Sequence, residues 1–489
     1  MKRLIFTLLV LFGALAAVAQ NEVDALRYSY QEPVGSARFT AMGGAFGALG
    51  AEFSAISINP AGLGIFRRSE VSFSLGLNEH QTQTRFGTNV NQSDQSKWNL
   101  NIPQIGIVGS NGTSNDDWNR VNFAVGYNRL RNYNERFVST GYQTNNSLLE
   151  LFASQANGLI GDDLYDVYPF GPALAYDSYL INPLDSLTED QYTSVNPYGR
   201  FSARKDVERS GHMGETVVSV GGAYQDRLYI GASLGFPSIN FREKSTYSEF
   251  DLESEHELSD FSYTEELRTS GRGVNFKIGA IYKITEHLRV GAAWHSPSYL
   301  SLTDSYDTEI NANYKDGDQL SSVSPDGSFT YSIRTPARYL ANAAFVLGKS
   351  GLISADYEYV NYDNAKLNSA NGPGEEYDFA AENSAVKSIY RATHNVRAGF
   401  EWRVLKPISL RCGFSYQQTA FDPALTDANT NRLTYSFGAG FRKKGGYLDI
   451  AYQRAAWEGE YYHFDPSIVA GSNIQHIQGQ AVVSIGFRY

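Results

Sequence analysis

The chain of 489 residues contains a single cysteine, Cys412. One cysteine cannot form an intramolecular disulfide, and it cannot supply the ligand set of a cysteine-based zinc site. Cys412 also lies far from the N-terminus, where a lipoprotein would carry its lipid-modified cysteine. A small scaffold held together by disulfides or by a cysteine-bound zinc ion is therefore excluded.

The chain also lacks a long apolar run. Beyond residue 19 no stretch of about 18 consecutive apolar residues occurs, so the sequence predicts no transmembrane helix. Only helices and closed barrels satisfy all their backbone hydrogen bonds in lipid. If this protein crosses a membrane, we therefore expect it to do so as a β-barrel.

Positive charge is scarce. Residues 1–19 have the charged start, the short apolar core and the Ala17-Val18-Ala19 ending of a cleaved signal peptide. Cleavage after Ala19 removes two of the 41 basic residues and leaves 39 against 52 acidic residues, a net charge of −13. An acidic chain of this kind argues against nucleic acid as a partner.

Aromatic residues and alternating segments are abundant. The chain has 33 tyrosines and 28 phenylalanines, which favour strands and membrane interfaces. In the last nine residues Ala481, Val483, Ile485, Phe487 and Tyr489 occupy every second position, so they share one face of a strand. This pattern is typical of a barrel strand with one face toward lipid and the other toward a polar lumen.

Fourteen segments can be laid out in this way along the chain. They span 69–79, 100–109, 120–129, 216–225, 228–250, 258–284, 287–311, 328–347, 351–362, 392–404, 407–419, 431–442, 446–454 and 478–489. Tight turns alternate with long loops over 80–99, 130–215, 312–327, 363–391, 420–430 and 455–477. Outer-membrane barrels have this asymmetry, with the long loops outside the cell. The sequence thus predicts an all-β membrane protein, a 14-stranded antiparallel barrel over residues 69–489, with extracellular loops 130–215 and 363–391.

Residues 20–68 do not alternate. The segment precedes the first strand and is rich in small residues, especially over 42–50. Its apolar content suits burial, but it is too short to hold a core of its own. We therefore expect residues 20–68 to form an N-terminal plug inside the lumen.

The plug carries the motifs Gly35-Ser36-Ala37-Arg38, Ala41-Met42-Gly43-Gly44-Ala45 and Asn59-Pro60-Ala61-Gly62-Leu63. Together with the strand sequences 231–237 and 290–297, these motifs resemble the FadL/TodX (OmpP1) family of outer-membrane transporters, in a style similar to its Bacteroidetes members. The resemblance implies a 14-stranded barrel closed by an N-terminal hatch. It also implies passive uptake of hydrophobic small molecules, long-chain fatty acids or aromatic hydrocarbons, which are captured at the surface, pass the hatch and leave sideways through a gap in the wall.

The resemblance also implies location and partners. We expect a monomer in the outer membrane of a Gram-negative bacterium, surrounded by lipid and lipopolysaccharide and assembled by the barrel-assembly machinery through its C-terminal strand. Two alternatives stay open: a shuttle for cargo proteins, like a related barrel of the type IX secretion system, and a receptor for haem or another porphyrin, with His295 as a candidate ligand. The eight histidines show no metal-ligand spacing and no enzyme signature is present. We therefore expect no metal, no cofactor and no catalytic residue.

The candidate hatch and gating residues are Asn59, Pro60, Ala61, Gly62 and Arg38. Pro60 fixes its own φ and pushes Asn59 into an extended conformation, which leaves the Asn59 amide free to bond nearby backbone groups. As a gate, this corner would control uptake without affecting leakage. As a seat for the plug, it would instead prevent a leak.

A candidate capture site lies in the 130–215 loop, where a helix is predicted with Ser147 as its N-cap. The candidate residues are apolar or aromatic side chains of this loop: Leu148, Leu151, Phe152, Phe170, Tyr176 and Tyr179. They form either an exposed apolar groove that captures ligand or a core that keeps the long loop folded.

Inside the barrel, Arg289 and Arg397 are candidate carboxylate ligands, although charges in a lumen more often pair with each other. Pro237, Pro297 and Pro336 each lie about ten residues from a short turn, and proline removes a ladder hydrogen bond. These prolines indicate either a lateral opening or a ring where the strands leave the hydrocarbon, and the second interpretation is the simpler one.

Overall fold

A computed structural model of the chain describes residues 22–87, 92–113, 117–144, 146–185, 188–196, 199–252, 257–370, 377–425 and 428–489. The predicted signal peptide, 1–19, lies outside the described residues. None of the helices within these ranges is long and apolar enough to span a bilayer.

The wall of the molecule is a sheet of antiparallel strands. In chain order the strands are β1 (Glu70–Phe86), β2 (Gln92–Gly112), β3 (Trp118–Asn132), β4 (Glu135–Thr144), β5 (Ile181–Asp185), β6 (Thr188–Ser194), β7 (Arg200–Tyr224), β8 (Leu228–Asp251), β9 (Leu258–Lys283), β10 (Leu288–His295), β11 (Tyr299–Tyr314), β12 (Gln319–Val323), β13 (Gly327–Arg334), β14 (Arg338–Leu347), β15 (Gly351–Asn361), β16 (Lys366–Ser369), β17 (Ala392–Leu405), β18 (Ile408–Gln417), β19 (Arg432–Lys443), β20 (Gly446–Tyr461) and β21 (Ser472–Arg488). Four barrel strands consist of two segments each: β3 with β4, β10 with β11, β13 with β14, and β15 with β16. With β5, β6 and β12 outside the wall, the described residues form fourteen barrel strands.

The first and last strands close the ring. β1 pairs with β21 along its full length, from Glu70 opposite Arg488 to Phe86 opposite Ser472. On β21, Val483 and Ile485 are 46% and 54% exposed, whereas Ser484 between them is 1% exposed. Outward apolar side chains therefore alternate with inward ones, and the predicted 14-stranded antiparallel barrel is confirmed.

The strands extend further toward the long-loop end than the hydrophobic pattern indicated. β1 and β2 remain paired up to Arg85 and Gln92, so most of the predicted loop 80–99 is strand. β4 and β7 likewise pair as far as Thr144 and Arg200. The part of 130–215 that lies outside the barrel strands is therefore about 145–199. Beyond the bilayer both faces of a strand meet polar surroundings, so alternation fades although the ladder continues.

The helices lie in the N-terminal segment and in the long loops. They are α1 (Glu22–Arg27), α2 (Ala37–Ala41), α3 (Leu148–Ala156), α4 (Gly161–Val167), α5 (Pro172–Asp177) and α6 (Ala380–Ile389), with 3₁₀ turns at Phe53–Ser57, Pro60–Ile65 and Tyr362–Asn364. Segment 363–391 thus contains β16 and α6 rather than an irregular loop.

Residues 33–66 are almost entirely buried and contact strands all around the ring. Glycines on the inner wall make this possible: a Cβ on Gly399 would lie 2.6 Å from the Met42 carbonyl oxygen, and one on Gly438 would lie 2.6 Å from the Ala41 Cβ. Such separations are shorter than van der Waals contact allows. We call the wall glycines that touch residues 41–64 the glycine belt: Gly106, Gly126, Gly221, Gly231, Gly279, Gly291, Gly399, Gly413 and Gly438.

Candidate functional site

A small cavity of about 30 Å³ lies between the N-terminal segment and the barrel wall. We call it the inner cavity. It is lined by Gln31, Glu32, Pro33, Val34, Phe39, Ser57 and Ile58 of the N-terminal segment and by Asn128, Arg129, Leu130, His295, Arg338, Glu358 and Arg397 of the wall. This volume suits one or two water molecules.

The wall side of the inner cavity carries a network of buried charges. Glu358 accepts from Arg338 at 3.0 Å and from Arg397 at 2.8 Å, and the Asn395 amide donates to it at 3.1 Å. On the opposite side, Glu32 pairs with Arg432 at 3.3 Å. Burial of these ions is tolerated because each carboxylate is paired and hydrogen-bonded.

Arg397 is the predicted carboxylate ligand that the structure places at the cavity. Its Nη2 bonds Glu358, while its Nε and Nη1 are buried and have no hydrogen-bond partner among the described residues. Arg129, also in the lining, has an unpartnered Nε of the same kind. Buried N–H groups without acceptors cost free energy, so these atoms are suited to receive an anionic oxygen.

Arg289, the other predicted carboxylate ligand, does not line the inner cavity. Its guanidinium donates to the Leu49 backbone oxygen at 3.3 Å and is half-buried. The structure therefore places Arg289 beside the N-terminal segment, separate from Arg397.

The wall is interrupted next to the inner cavity. The ladder between β2 and β3 runs from Gly112 opposite Arg120 to Gln104 opposite Asn128 and stops there. Within the described residues no ladder joins β2 residues 92–103 to β4, which continues the same barrel strand along β7. Pro103, which has no backbone N–H, directly precedes Gln104, the last residue of β2 that pairs with β3.

Beyond this point β4 leaves the wall and lies on its inner side, in the lumen. It contacts β1, where the Thr82 hydroxyl donates to the Arg136 carbonyl oxygen at 2.7 Å. Outside β4, Lys97 of β2 reaches β7 and binds Glu208 at 2.9 Å and the Arg209 carbonyl oxygen at 2.7 Å. Among the residues that the structure describes, no backbone ladder crosses this part of the wall, and Lys97 spans it through its side chain.

Pro237, Pro297 and Pro336 do not interrupt the wall as the end of the β2–β3 ladder does. Pro297 separates β10 from β11, and Pro336 separates β13 from β14, at facing positions. The break is bridged because Ser298 N donates to Thr335 Oγ1 at 2.8 Å and Thr335 N donates to the Ser298 carbonyl oxygen at 3.0 Å. β8 continues through Pro237. The geometry thus favours the simpler interpretation of these residues.

The Asn59-Pro60-Ala61-Gly62 corner ties the N-terminal segment to the wall. Asn59 is extended and caps the 3₁₀ turn that begins at Pro60, with its Oδ1 accepting from Ala61 N at 3.1 Å. Its Nδ2 donates to the Gly47 carbonyl oxygen at 2.9 Å and faces the carbonyl oxygens of Ala280 and Ala292 on β9 and β10. Gly62 packs against Gly50. The sequence predicted the corner but not its partners.

Arg38 is engaged with the wall. Its Nε donates to Glu401 Oε2 at 2.9 Å, and the same oxygen accepts from Arg411 at 2.8 Å. Arg411 in turn pairs with Asp449 at 2.6 Å, and the Arg38 guanidinium lies 5.2 Å from the centre of the Phe46 ring. This network holds the segment in place and leaves Arg38 no charge for a ligand.

The predicted capture helix exists as α3, capped by Ser147 through a 3.0 Å bond from Leu149 N. However, Leu148 and Phe152 are only 4% and 5% exposed. Phe152 packs edge-on against Tyr263 of β9 at 5.4 Å, and Leu151 is half-buried beside it. The inner face of the extended strands is itself apolar and covers the helix, so the burial of Leu148 and Phe152 favours the loop core over the exposed groove among the two interpretations.

The three aromatic candidates that follow α3 differ in exposure. Phe170 is half-buried and contacts Tyr306 at 5.0 Å, and Tyr176 packs against Tyr192 at 5.9 Å. Tyr179 is 64% exposed. Only Tyr179 of the predicted capture residues thus presents a largely free aromatic surface.

His295, the candidate haem ligand, is buried in the lining of the inner cavity. Its Nε2 donates to the Ile58 carbonyl oxygen at 3.0 Å. A cavity of about 30 Å³ cannot hold a porphyrin. The geometry of His295 therefore gives no support to haem as a ligand.

Comparisons with known proteins agree with this architecture. A sequence profile for the outer membrane protein transport proteins OMPP1/FadL/TodX matches residues 218–461, about half of the chain. None of the curated protein sequences matches.

Solved structures share the fold. One is the P. putida toluene transporter TodX, with 15% identity and a TM-score of 0.52 over 94% of this chain and 99% of that chain. Another is a Pseudomonas aeruginosa FadL homologue, with 13% identity and a TM-score of 0.52 over 94% and 99% of the two chains. At such identities the similarity extends to the fold alone.

Proposed function

Because the chain belongs to the OmpP1/FadL/TodX family of outer-membrane transporters for hydrophobic compounds, we propose that it carries long-chain fatty acids across the outer membrane. The driving force is burial of the alkyl chain, first in the protein and then in the bilayer. No energy source is needed, and one chain provides the whole route. We therefore propose a monomer, inserted by the barrel-assembly machinery through β21.

The observation that carries this proposal is the position of the inner cavity at the point where the β2–β3 ladder ends. Asn128, the last residue of β3 that pairs with β2, lines the cavity together with Arg129 and Leu130. Trp98 and Leu100, on the outer face of the part of β2 that has no ladder on its β3 side, are 60% and 64% exposed. A ligand in the cavity thus has a short sideways path toward hydrocarbon.

The charge of the lining favours an acid over a hydrocarbon. Arg129, Arg338 and Arg397 face the cavity, and the acidic residues of the lining are Glu32, which is already paired with Arg432, and Glu358. Asp356 lies beside Arg397 outside the lining and is engaged by the backbone N–H groups of Phe46 and Gly47. A carboxylate would take up the unpartnered N–H groups of Arg397, and hydrogen bonds between guanidinium and carboxylate are among the strongest in proteins. An aromatic hydrocarbon would leave them unpaired.

Transport requires the N-terminal segment to move. The cavity of about 30 Å³ is far smaller than the ~150 Å³ that an apolar cavity needs to hold benzene. We propose that residues 31–34, which line the cavity and are partly exposed at Gln31 and Glu32, shift to admit the ligand. The glycine belt leaves the tightly packed residues 41–64 no such freedom.

The test compares oleic acid with oleyl alcohol, which has the same chain without the carboxylate, in binding to purified protein. Loss of a hydrogen bond to a charged group costs about 1.5–3 kcal/mol, so Arg397→Gln should weaken oleic acid binding by about 10- to 100-fold and leave oleyl alcohol unaffected. Arg289→Gln, a lumen arginine outside the cavity, is the matched control. Equal binding of both ligands by the unmodified protein would instead indicate a hydrocarbon substrate.

A further inference from the structure

A second cluster of polar side chains lies where β1, β4 and β21 meet inside the barrel. One ring nitrogen each of His80 and His476 and one carboxylate oxygen of Glu135 lie within 4.8 Å of one another. The two rings approach to 3.2 Å between His80 Nε2 and His476 Nδ1. Glu135 Oε2 lies 3.7 Å from His80 Nδ1 and 3.8 Å from His476 Nδ1. The cluster is separate from the inner cavity.

We propose that His80, His476 and Glu135 bind a divalent transition-metal ion, with Zn²⁺ as the reference ion. Two imidazoles and one carboxylate form a known zinc ligand set that leaves a fourth position for water. With metal–ligand bonds of about 2.0–2.1 Å, tetrahedral ligand atoms lie about 3.3 Å apart. One ligand atom from each of the three residues lies within 4.8 Å of the others, so an ion would draw these side chains slightly closer together. Nitrogen ligands favour Zn²⁺, Ni²⁺ and Cu²⁺ over Mg²⁺ and Ca²⁺.

The side chains around the cluster fix the orientation of the ligands. The Trp457 indole stacks on His476, with centroids 4.9 Å apart and planes 6° apart, and lies 5.4 Å from the His80 ring. Arg209 donates to Glu135 Oε1 at 2.6 Å, which leaves Oε2 directed toward the histidines. Outer contacts of this kind position metal ligands in proteins.

The charge around the cluster accommodates a cation. Arg209 bridges Glu135 and Glu243, at 2.6 and 2.5 Å. Arg432, near His80, is paired with Glu32 at 3.3 Å. Arg27 and Lys205 also lie near Glu243. Carboxylates thus offset the cations around the cluster, and the carboxylate nearest to the two rings is Glu135 itself.

The site lies at the interruption of the wall. Glu135 is the first residue of β4, directly after the break at residues 133–134. The backbone carbonyl oxygen of its neighbour Arg136 accepts a hydrogen bond from the Thr82 hydroxyl of β1. A bound ion would join β4 to β1 and β21 and so hold β4 inside the ring. This consequence for the exit route rests on the proposed function, whereas the metal site itself does not.

The test is Zn²⁺ binding to the purified, tag-free full chain in detergent, by equilibrium dialysis and elemental analysis. We expect one Zn²⁺ per chain and loss of that ion in His80→Gln and in His476→Gln. His394→Gln removes an exposed histidine on β17 and should bind as the unmodified protein does. Absence of stoichiometric binding in the unmodified chain, or equal binding in all variants, would overturn the proposal.

A second measurement covers the case in which those variants do not fold. Cu²⁺ at the site would quench Trp457, one of five tryptophans, so Cu²⁺ should quench the unmodified protein and should quench Trp457→Phe less, although all three ligands remain. Equal quenching of the two would place the ion elsewhere and refute the assignment. Oleic acid binding, measured on the same samples, shows separately whether the transport proposal holds.

Discussion

Replacing Asn59 by alanine should loosen the N-terminal segment and make the barrel leak. The amide donates to the Gly47 carbonyl oxygen at 2.9 Å and accepts from Ala61 N at 3.1 Å. These bonds tie two stretches of the segment together, and they do so against the carbonyl oxygens of β9 and β10. We therefore predict that this corner acts as a seat for the plug, the second of the two roles considered for it.

The magnitude follows from the two bonds. Loss of an N-cap costs about 1 kcal/mol, and a buried carbonyl left without its donor costs about 1–3 kcal/mol. Asn59→Ala should thus destabilise the seated segment by about 2–4 kcal/mol, which raises the unseated fraction roughly 30- to 700-fold. Asn59→Asp should leak as well, because it keeps the acceptor for Ala61 N but loses the donor to Gly47.

The assay is conductance of the purified protein in planar bilayers, together with sensitivity of cells to a large antibiotic. Brief channel openings should become frequent in Asn59→Ala and stay rare in Asn182→Ala, which removes an exposed loop amide that donates to the Tyr179 carbonyl oxygen. A variant that takes up less fatty acid but does not leak would refute the reasoning and identify the corner as a gate.

Three further predictions concern the ion network, the long loop and the topology. Arg38→Gln leaves Glu401 with Arg411 as its partner, and loss of a hydrogen bond to a charged group costs about 1.5–3 kcal/mol, so the heat-modification temperature on gels should fall. Burial raises the pKa of Glu249, which caps α3 outside the membrane, from 4.5 to about 7. An acid with a raised pKa binds a proton on folding, so protection of α3 from hydrogen exchange, corrected for intrinsic rates, should fall as pH rises between these values. Glu249→Gln should remove this dependence. In a Cys412→Ser background, whole cells should label Tyr179→Cys and not Asp226→Cys; the reverse result would invert the topology.

The barrel was predictable from the sequence because lipid imposes a strict rule on the outer face. Alternation over 481–489 and the short turns between neighbouring segments were enough to place fourteen strands in order. The strand extensions at 80–86 and 92–99 were not predictable, because their side chains are mostly polar on both faces while the backbone still pairs.

The site was only partly predictable. The small residues of the N-terminal segment indicated burial, and the corner at Asn59 followed from local backbone rules. The pairing of Arg38 with Glu401, 363 residues away, depends on how the ring closes and has no local signal. The same holds for His80 and His476, which are brought together by the closing pair of strands.

The position of the wall interruption was not predicted, and the three prolines were interpreted more simply as a ring where the strands leave the hydrocarbon. A signal for it was present: Pro103 lies on β2 where the ladder ends, and the sequence Asn132-Tyr133-Asn134 breaks the strand pattern a few residues further along, between β3 and β4. Three consecutive buried residues, 128–130, show that the strand there is covered on both faces. A sequence pattern cannot show this, because the covering residues come from elsewhere in the chain.

The glycine belt has a consequence for the order in which the molecule is assembled. Wall glycines such as Gly399 and Gly438 touch the enclosed chain so closely that a single added methyl group would not fit. A finished ring could not admit residues 41–64 afterwards without separating many strands at once. The N-terminal residues must therefore already be in position when β1 and β21 join, and the final pairing step completes the barrel around its own contents.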